Sequence, residues 1–317
     1  MKSMSTHQRL LIFLIFVLAL TSILSPWFAI AADWLTGQVL GVERYPFSRI
    51  FNRTFMVSGM VLFFTWRRLL KIGNLAELGF VGLGQGAGDL LRGWSLAVAS
   101  VAALILAMSL AQVFEPYLRL SLSRSLSRCF SALLSGVFAG TLEETFFRGI
   151  LFKGLLQNGR IIRAFVLSSL FYSALHFIRP GEAYFVDSFD PLAGFRHLFY
   201  TFTPFSEPLN LLPGMVGLFL LGVVLSYAFF RTGNLYLSIG LHAGWVFGLK
   251  LVRVFGDYTR DELGWLFGTT DPKIVSGVAT WIGITSVFLL VHWLTQNRCG
   301  LTRERPVRPD AYIPSPR

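Results

Sequence analysis

Acidic residues and cysteines are scarce in this sequence, and each scarcity excludes a class of protein. The 317 residues include 17 Asp and Glu against 28 Lys and Arg, so the net charge is +11. The two cysteines, Cys129 and Cys299, are far apart and provide neither a disulfide framework nor a zinc spacing. No nucleic-acid-binding motif accompanies the positive charge, so we exclude nucleic acid as a partner and assign the basic residues to membrane-flanking loops.

Apolar residues dominate the chain. They make up 54% of it, and the mean hydropathy is +0.60. Windows of about 20 apolar residues are long enough to cross a bilayer. The fold class predicted is an all-α, polytopic integral membrane protein with about eight transmembrane helices and the bilayer as its partner. The predicted spans are Leu10–Ala31, Phe47–Trp66, Trp94–Phe114, Cys129–Leu156, Ile161–Ile178, Leu211–Phe230, Leu235–Phe255 and Ile274–Leu294.

Three regions are predicted along the chain. Residues 1–128 hold the N-terminal transmembrane helices and a basic linker, 129–256 a core of four transmembrane helices, and 257–317 the last span and a basic, Pro/Arg-rich tail. The linker, 115–128, alternates Leu and Arg, which fits either an amphipathic helix on the membrane surface or an exposed connection. The connection 179–210 is the longest polar one, and it fits a lid, a re-entrant element or a loop.

The first apolar run has two interpretations. Lys2 and Arg9 precede it, and the small residues Ala29 and Ala31 near its end resemble a signal-peptide cleavage site. Its length favours a retained transmembrane helix. The distribution of basic loops favours an N-terminus on the inner side, and we expect the protein in the bacterial inner membrane.

Three ionisable residues interrupt the fourth span. Glu143, Glu144 and Arg148 lie within six positions of an otherwise apolar run. A charge at the bilayer centre costs about 2.5–3.5 kcal/mol on insertion scales, so such residues indicate a functional site. Glu144 precedes Arg148 by four positions, which is the favourable order for an ion pair on one helix face. A structural role is the favoured interpretation of that pair.

Glu143 faces a different direction, because neighbouring helical residues point about 100° apart. Its face carries Gly136 and Gly140, and small residues four apart allow another helix to approach closely. We therefore expect Glu143 to point at a neighbouring helix and not at lipid. A carboxylate in that position must find a partner or take up a proton, and it can act as a general base.

Two histidines in later spans are candidate partners of Glu143. The fifth span is joined to the fourth by a short connection, which favours antiparallel packing and brings His176 close to Glu143. His242, in the seventh span, points away from a glycine ridge and could donate a hydrogen bond to a developing oxyanion. Each histidine alone also fits a packed, hydrogen-bonded residue. Two His and two Glu could bind zinc, but no helix carries the H-E-x-x-H spacing, so we predict no cofactor and keep zinc as the less favoured alternative.

These residues, in this order, resemble the CPBP family of type II CAAX prenyl endopeptidases and bacteriocin-processing or self-immunity proteins. The resemblance covers roughly residues 131–255 and rests mainly on the intramembrane E-E-x-x-x-R motif. It implies an eight-helix intramembrane endopeptidase. The family has been described both as metal-dependent and as glutamate-dependent, and the pairing of Glu143 with a histidine favours the latter. Glu143 would then activate water beside His176, His242 would help to form the oxyanion hole, and Glu144 and Arg148 would brace the site.

Two positions depart from the family pattern. Tyr172 occupies a position, four before His176, where the family usually has Phe. Val246 stands four after His242, where the family often has Asn or another polar residue, so an expected oxyanion donor is missing. Trp245 or Ser238 is a candidate substitute, since both lie within about one turn of His242.

The function predicted is an endopeptidase that cuts a peptide substrate at or in the membrane with water activated by Glu143 and His176. A non-catalytic immunity or scaffold protein of the same fold is the main alternative, which Val246 favours. A proton-coupled transporter is the second alternative, because Glu143 and the histidines could relay protons, but the inverted repeats of many transporters are not evident.

Overall fold

The structure is a computed structural model that describes residues 6–36, 45–66, 74–156, 160–177, 185–186, 188–202, 205, 208–260, 262–268, 274–298 and 300–301. Helices account for nearly all of this part of the chain, as expected for the all-α class. The helices are α1 Thr6–Trp34, α2 Phe47–Trp66, α3 Leu83–Leu110, α4 Leu122–Glu144, α5 Lys153–Leu156, α6 Ile161–His176, α7 Ala193–Tyr200, α8 Pro208–Thr232, α9 Tyr236–Val252, α10 Gly264–Phe267 and α11 Val278–Thr295. The short elements are the 3₁₀ turns Leu75–Leu78 and Ile274–Ser276, the π-helix Thr145–Phe152, and the strands β1 Phe114–Pro116 and β2 Gly256–Tyr258.

Each predicted span corresponds to a helix, but the count of eight membrane spans is not confirmed. Helices α6 and α9 have 16 and 17 residues, which at 1.5 Å per residue is shorter than a hydrocarbon core of about 30 Å. Helix α2, which contains Arg49 and Arg53, does not qualify either. Among the described residues, five segments are long and apolar enough to cross a membrane: Leu11–Trp34, Leu75–Leu110, Leu122–Leu156, Pro208–Thr232 and Val278–Thr295.

The predicted basic linker 115–128 is not a separate element. Its beginning belongs to β1, which pairs antiparallel with β2 so that Glu115 opposes Asp257. Its end forms the first turns of α4, which starts at Leu122. The segment therefore divides between a two-stranded sheet, the connection 117–121 and a long helix.

Helix α9 is the central helix of the region that contains the predicted site residues. It packs between α3 and α4, and its residues from Leu237 to Trp245 are buried. Small residues set the close approach on both sides. A Cβ on Gly240 would lie 2.1 Å from the carbonyl oxygen of Leu90 in α3, and one on Gly136 of α4 would lie 2.5 Å from that of Ala243. The glycines predicted to mediate helix contact do so, and α9 is the neighbour that α4 meets.

The same packing explains why α3 begins at Leu83, eleven positions before the predicted start of the third span. Glycines in its first turns disfavour a helix by propensity. Gly86, however, lies against the ring of Tyr236, where an added Cβ would come within 2.3 Å of the ring. Contact with α9 outweighs the intrinsic preference of these residues.

Helices α1, α2 and α7 pack together beside this core. His197, in a region expected to be a loop, lies within α7, fully buried against the rings of Phe47 and Phe51. Parts of other predictions lie outside the described residues: the first five residues of the signal-like segment, half of the connection between His176 and α7, and the tail after Leu301.

Candidate active site

The acidic motif lies where α4 changes from α-helical to π-helical winding. Glu143 and Glu144 end the α-helix, and the π-helix Thr145–Phe152 follows without a break and contains Arg148. The π-helix closes i→i+5 hydrogen bonds, is rare, and occurs often at functional sites. A regular helix was expected through this region, so the face relationships predicted beyond Glu144 change from Thr145 onward.

Glu144 forms the sealed part of the site. The guanidinium of Arg148 donates to its Oε1 at 2.8 Å, and both side chains are fully buried. This ion pair is confirmed as predicted. The Nδ1 atom of His242 lies 2.7 Å from the same oxygen, a contact that sequence reasoning missed because it considered His242 only as a donor to the oxyanion. Glu144 thus holds both Arg148 of its own helical segment and His242 of α9.

Arg148 has further contacts that keep it in place. It donates from Nη2 to the carbonyl oxygen of Gly222 in α8 at 3.2 Å. Its guanidinium carbon lies 4.7 Å from the ring centroid of Tyr172 in α6, a favourable cation–π arrangement. Arg148 therefore connects the acidic motif to both α6 and α8.

Glu143 forms the open part of the site. Its Oε2 lies 3.7 Å from Nε2 of His176 and 3.8 Å from Nε2 of His242, and its side chain is 36% exposed. These distances exceed those of direct hydrogen bonds, and Oε2 has no hydrogen-bond partner among the described residues. The side chain is less buried than expected from the sequence, although Oε2 itself is sealed from solvent. The three predicted side chains do converge.

Hydrogen bonds assign the tautomers of both histidines. Nδ1 of His176 lies 2.8 Å from the carbonyl oxygen of Tyr172, which can only accept, so Nδ1 carries the hydrogen. Nδ1 of His242 likewise faces the Glu144 carboxylate, which accepts from Arg148 at the same oxygen. In its neutral form each ring therefore presents the lone pair of Nε2 toward Glu143. His242 can donate from Nε2 only when both of its ring nitrogens are protonated.

The two candidate substitutes for the donor missing at Val246 are committed elsewhere. The indole N–H of Trp245 donates to the Ser100 hydroxyl of α3 at 3.0 Å. The Ser238 hydroxyl donates to the carbonyl oxygen of Leu235 at 3.0 Å. Trp245 therefore supports the contact between α9 and α3 in this structure, and its predicted role beside His242 has no contact to support it.

Tyr172 is the member of the cluster that sequence reasoning passed over. Its ring lies 4.4 Å from that of His176 and 6.2 Å from that of His242, centroid to centroid. It also packs edge-on against Phe147 at 5.0 Å. The signal was present in the sequence as the departure from Phe at this position, but only the contacts of Tyr172 with the π-helix and with His242 of α9 give it meaning.

The described residues contain no group of three or more His, Cys, Asp or Glu side chains arranged to hold a metal ion. The zinc alternative stays an untested prediction.

These features define a class: a helical integral membrane protein whose interior holds two adjacent glutamates, an arginine and two histidines from three neighbouring segments. Within that class, residues 125–248 match the family model of the Type II CAAX prenyl endopeptidase Rce1-like proteins. The match confirms the resemblance to the CPBP family, and it includes every residue of the cluster, from Glu143 to His242. No curated protein and no solved structure shows a significant match to the chain.

Proposed function

We propose that this protein is a CAAX-type intramembrane endopeptidase that hydrolyses a peptide bond with water activated by Glu143 and His176. One observation carries the proposal. A carboxylate oxygen without a hydrogen-bond partner faces two imidazole nitrogens at 3.7 and 3.8 Å. Oε2 of Glu143 and Nε2 of His176 are both acceptors when the His176 ring is neutral, so a donor between them would complete the contact, and a water molecule has two hydrogens to donate.

The reaction follows from these positions. Water bound between Glu143 and His176 attacks the carbonyl carbon of the scissile peptide bond while Glu143 takes its proton. The carbonyl electron pair moves to oxygen and forms a tetrahedral oxyanion. When the intermediate collapses, the C–N bond breaks and Glu143 returns the proton to the leaving amine. Positioned acid–base groups of this kind contribute about 10²–10⁴-fold to a rate.

His242 stabilises the oxyanion in its doubly protonated form. Its Nδ1–H then remains on Glu144 at 2.7 Å, and its Nε2–H becomes available beside Glu143. The buried ion pair thus orients the histidine that meets the substrate.

The substrate is a peptide segment that reaches the cluster from the bilayer or its surface. The partial exposure of Glu143 and His176, at 36% and 22%, provides access on this side of the cluster. The match to the CAAX endopeptidase family supports a substrate cleaved near a membrane-anchored terminus. We place the protein in the bacterial inner membrane with its N-terminus inside, from the distribution of basic loops.

The decisive experiment replaces Glu143 with Gln in protein reconstituted into liposomes. Two quenched fluorogenic peptides serve as probes, one with an apolar membrane segment and one with a farnesylated CAAX terminus. We expect the wild-type protein to cleave at least one probe and E143Q to lose at least about 100-fold in turnover. The matched control is Glu77→Gln, in the exposed 3₁₀ turn, which should leave turnover unchanged. Undiminished turnover of E143Q refutes the assignment.

A non-catalytic immunity or scaffold role is the second candidate, and a specific observation favours it. Val246 gives the turn after His242 an apolar side chain, and neither Trp245 nor Ser238 donates toward the cluster. If the wild-type protein cleaves neither probe while it remains folded in the liposomes, this second function is the better one.

A further inference from the structure

The proposed hydrolysis, on which this inference rests, places negative charge on the carbonyl oxygen of the substrate. Oxyanion sites commonly use more than one donor, and His242 supplies one. Most of the other donors that surround the cluster are occupied, and the Nε–H of Arg148, which has no partner among the described residues, is sealed inside the protein. Arg148 donates to Glu144 and to Gly222, and the N–H of His176 is held by a backbone carbonyl. The donors of Trp245 and Ser238 point to other partners.

The Tyr172 hydroxyl is different from these donors. No hydrogen bond joins it to another described residue, although its backbone carbonyl holds His176. The residue is only 3% exposed. Some described residues have a fully buried polar atom that lacks a hydrogen-bond partner, and the Tyr172 hydroxyl is not among those atoms. A buried phenol normally finds a hydrogen-bond partner. The hydroxyl of Tyr172 therefore retains a free donor at the small accessible part of an otherwise buried side chain.

The ring of Tyr172 is fixed next to the reacting groups. It lies 4.4 Å from the His176 ring and meets the His242 ring edge-on at 6.2 Å. Arg148 lies 4.7 Å from its centroid, and Phe147 packs on another side at 5.0 Å. Four contacts from two other segments and its own helix restrict the ring to one position. A donor held in advance costs little reorganisation during the reaction, which is the condition for effective oxyanion stabilisation.

We propose that Tyr172 is a further catalytic residue, whose phenolic O–H donates a hydrogen bond to the tetrahedral oxyanion beside the Nε2–H of His242. The hydroxyl keeps its proton throughout. The oxyanion forms as the carbonyl electron pair moves to oxygen, accepts this hydrogen bond, and returns the pair when the C–N bond breaks. In this chain the phenol on α6 supplies the donor that the apolar side chain of Val246 on α9 does not.

The test removes one oxygen atom. Tyr172→Phe keeps the ring contacts with Arg148 and His176, so the thermal unfolding midpoint should stay close to that of the wild type. With the fluorogenic probe that the wild type cleaves, kcat should fall by about 100-fold, with KM changed much less, because loss of one oxyanion donor costs about 10²–10³ in kcat. Tyr227→Phe is the matched control, since the Tyr227 hydroxyl contacts His292, on α11, at 2.6 Å. Its turnover should equal that of the wild type.

A second-site change distinguishes catalysis from packing. Val246→Asn places an amide one turn after His242, and in the Y172F background it should recover at least about 10-fold of the lost kcat. A packing role for the hydroxyl predicts no such rescue. The proposal is overturned if Y172F retains wild-type kcat, or if Y172F is impaired and the double variant recovers nothing.

The E143Q variant, measured beside these proteins, separates the two proposals. If E143Q is inactive and Y172F is fully active, the hydrolase stands and Tyr172 has no catalytic role. If E143Q is as active as the wild type, or if the wild type cleaves neither probe, the mechanism is wrong and the role of Tyr172 falls with it.

Discussion

Two acidic side chains project into the helical interior, and their surroundings are opposite. Asp89, near the start of α3, is 4% exposed. Donors surround it, with Arg298 at 2.6 Å, Asn234 at 3.2 Å and Arg92 at 3.4 Å. Glu143, at the end of α4, has an oxygen that faces two imidazole nitrogens at 3.7 and 3.8 Å. One acid has its charge matched by cations and an amide, whereas the facing oxygen of the other has no hydrogen-bond partner among the described residues.

These surroundings indicate that Asp89 stabilises the fold, whereas Glu143 is available to bind water or substrate. The contacts of Asp89 join α3, the turn between α8 and α9, and the chain after α11. Nothing further is needed at that cluster. The contacts of Glu143 with the two imidazoles, at 3.7 and 3.8 Å, are too long for hydrogen bonds, so a water molecule or substrate that donates to this oxygen would satisfy it. Among buried acids, the unmatched one is the better functional candidate.

Glu144 belongs with Asp89 in this comparison, although it is next to Glu143 in sequence. It is fully buried and holds Arg148 at 2.8 Å and His242 at 2.7 Å. Its contribution to the reaction is to position His242. Adjacent residues on a helix point in different directions, and here one carboxylate closes the interior and its neighbour opens to the substrate.

The largest expected effect comes from neutralising Glu144. In Glu144→Gln the guanidinium of Arg148 stays fully buried without a matching charge, and breaking a buried pair in this way costs about 3–5 kcal/mol. Glu143→Gln should change the unfolding free energy far less, because its carboxylate has no direct ion pair. Denaturant unfolding in detergent micelles measures both variants. An equal loss of stability in E143Q and E144Q would erase the distinction between the two glutamates.

The next largest effect is expected at the other acid. Asp89→Ala removes the acceptor of Arg298, Asn234 and Arg92, and charged hydrogen bonds contribute about 1.5–3 kcal/mol each to stability. Because Arg92 and Arg298 are partly exposed, at 57% and 33%, we expect a total loss near the lower value of that range. Unfolding should begin at lower denaturant, while turnover per folded molecule stays at the wild-type level. A fall in kcat without a fall in stability would place Asp89 in the functional site.

The sequence predicted the local part of the site and the identity of its members. The Glu144–Arg148 pair follows from a spacing of four on one helix, and the prediction that Glu143 would meet His176 followed from a short connection between neighbouring helices. The contact between Glu144 and His242 was not predictable in this way. It depends on the rotation of α4 against α9, which Gly136 and Ala243 set by contact, and on helical winding that changes at Thr145.

The lengths of the helices show the same limit of prediction from sequence. Apolar composition predicted where helices form, but α6 and α9 end before they reach a membrane-spanning length. Trp245 illustrates the limit for side chains, since proximity to His242 in sequence suggested a role beside it, whereas its N–H reaches Ser100 of α3. Local periodicity gives the face of a helix, and only tertiary contact gives the partner of each atom on that face.

A substitution at the α4–α9 contact would shift the position of Glu143 without changing that residue itself. In Gly136→Ala the new methyl group meets the carbonyl oxygen of Ala243 at 2.5 Å, so the helices must separate. Overpacking of this kind costs about 1–3 kcal/mol, and turnover should fall as His242 moves from Glu143. Gly88→Ala, on α3 with nothing within 4 Å of the added atom, is the matched control and should stabilise by up to about 1 kcal/mol. Similar activity in both variants would show that the site tolerates movement of α4.

The smallest expected effect concerns His197, a buried imidazole outside the cluster. It packs against Phe47 and Phe51 in α2, and burial lowers its pKa from 6.5 to about 4. Above pH 6.5 the ring is neutral in the folded and the unfolded state, so stability does not depend on it. As the pH falls from 6.5 toward 4, the unfolded chain takes up a proton that the folded protein excludes, and stability is lost.

The measurement compares thermal unfolding of the wild type and His197→Phe at pH 7 and at pH 5, in the same detergent. The wild-type midpoint should fall further than that of H197F between these values, and the difference isolates the contribution of this ring from those of the other histidines. The pH dependence of turnover should be the same in both proteins, because His197 does not contact the cluster around Glu143. Parallel midpoints would mean that the folded protein accommodates the charged ring, and an altered pH profile of turnover would connect α7 to the site.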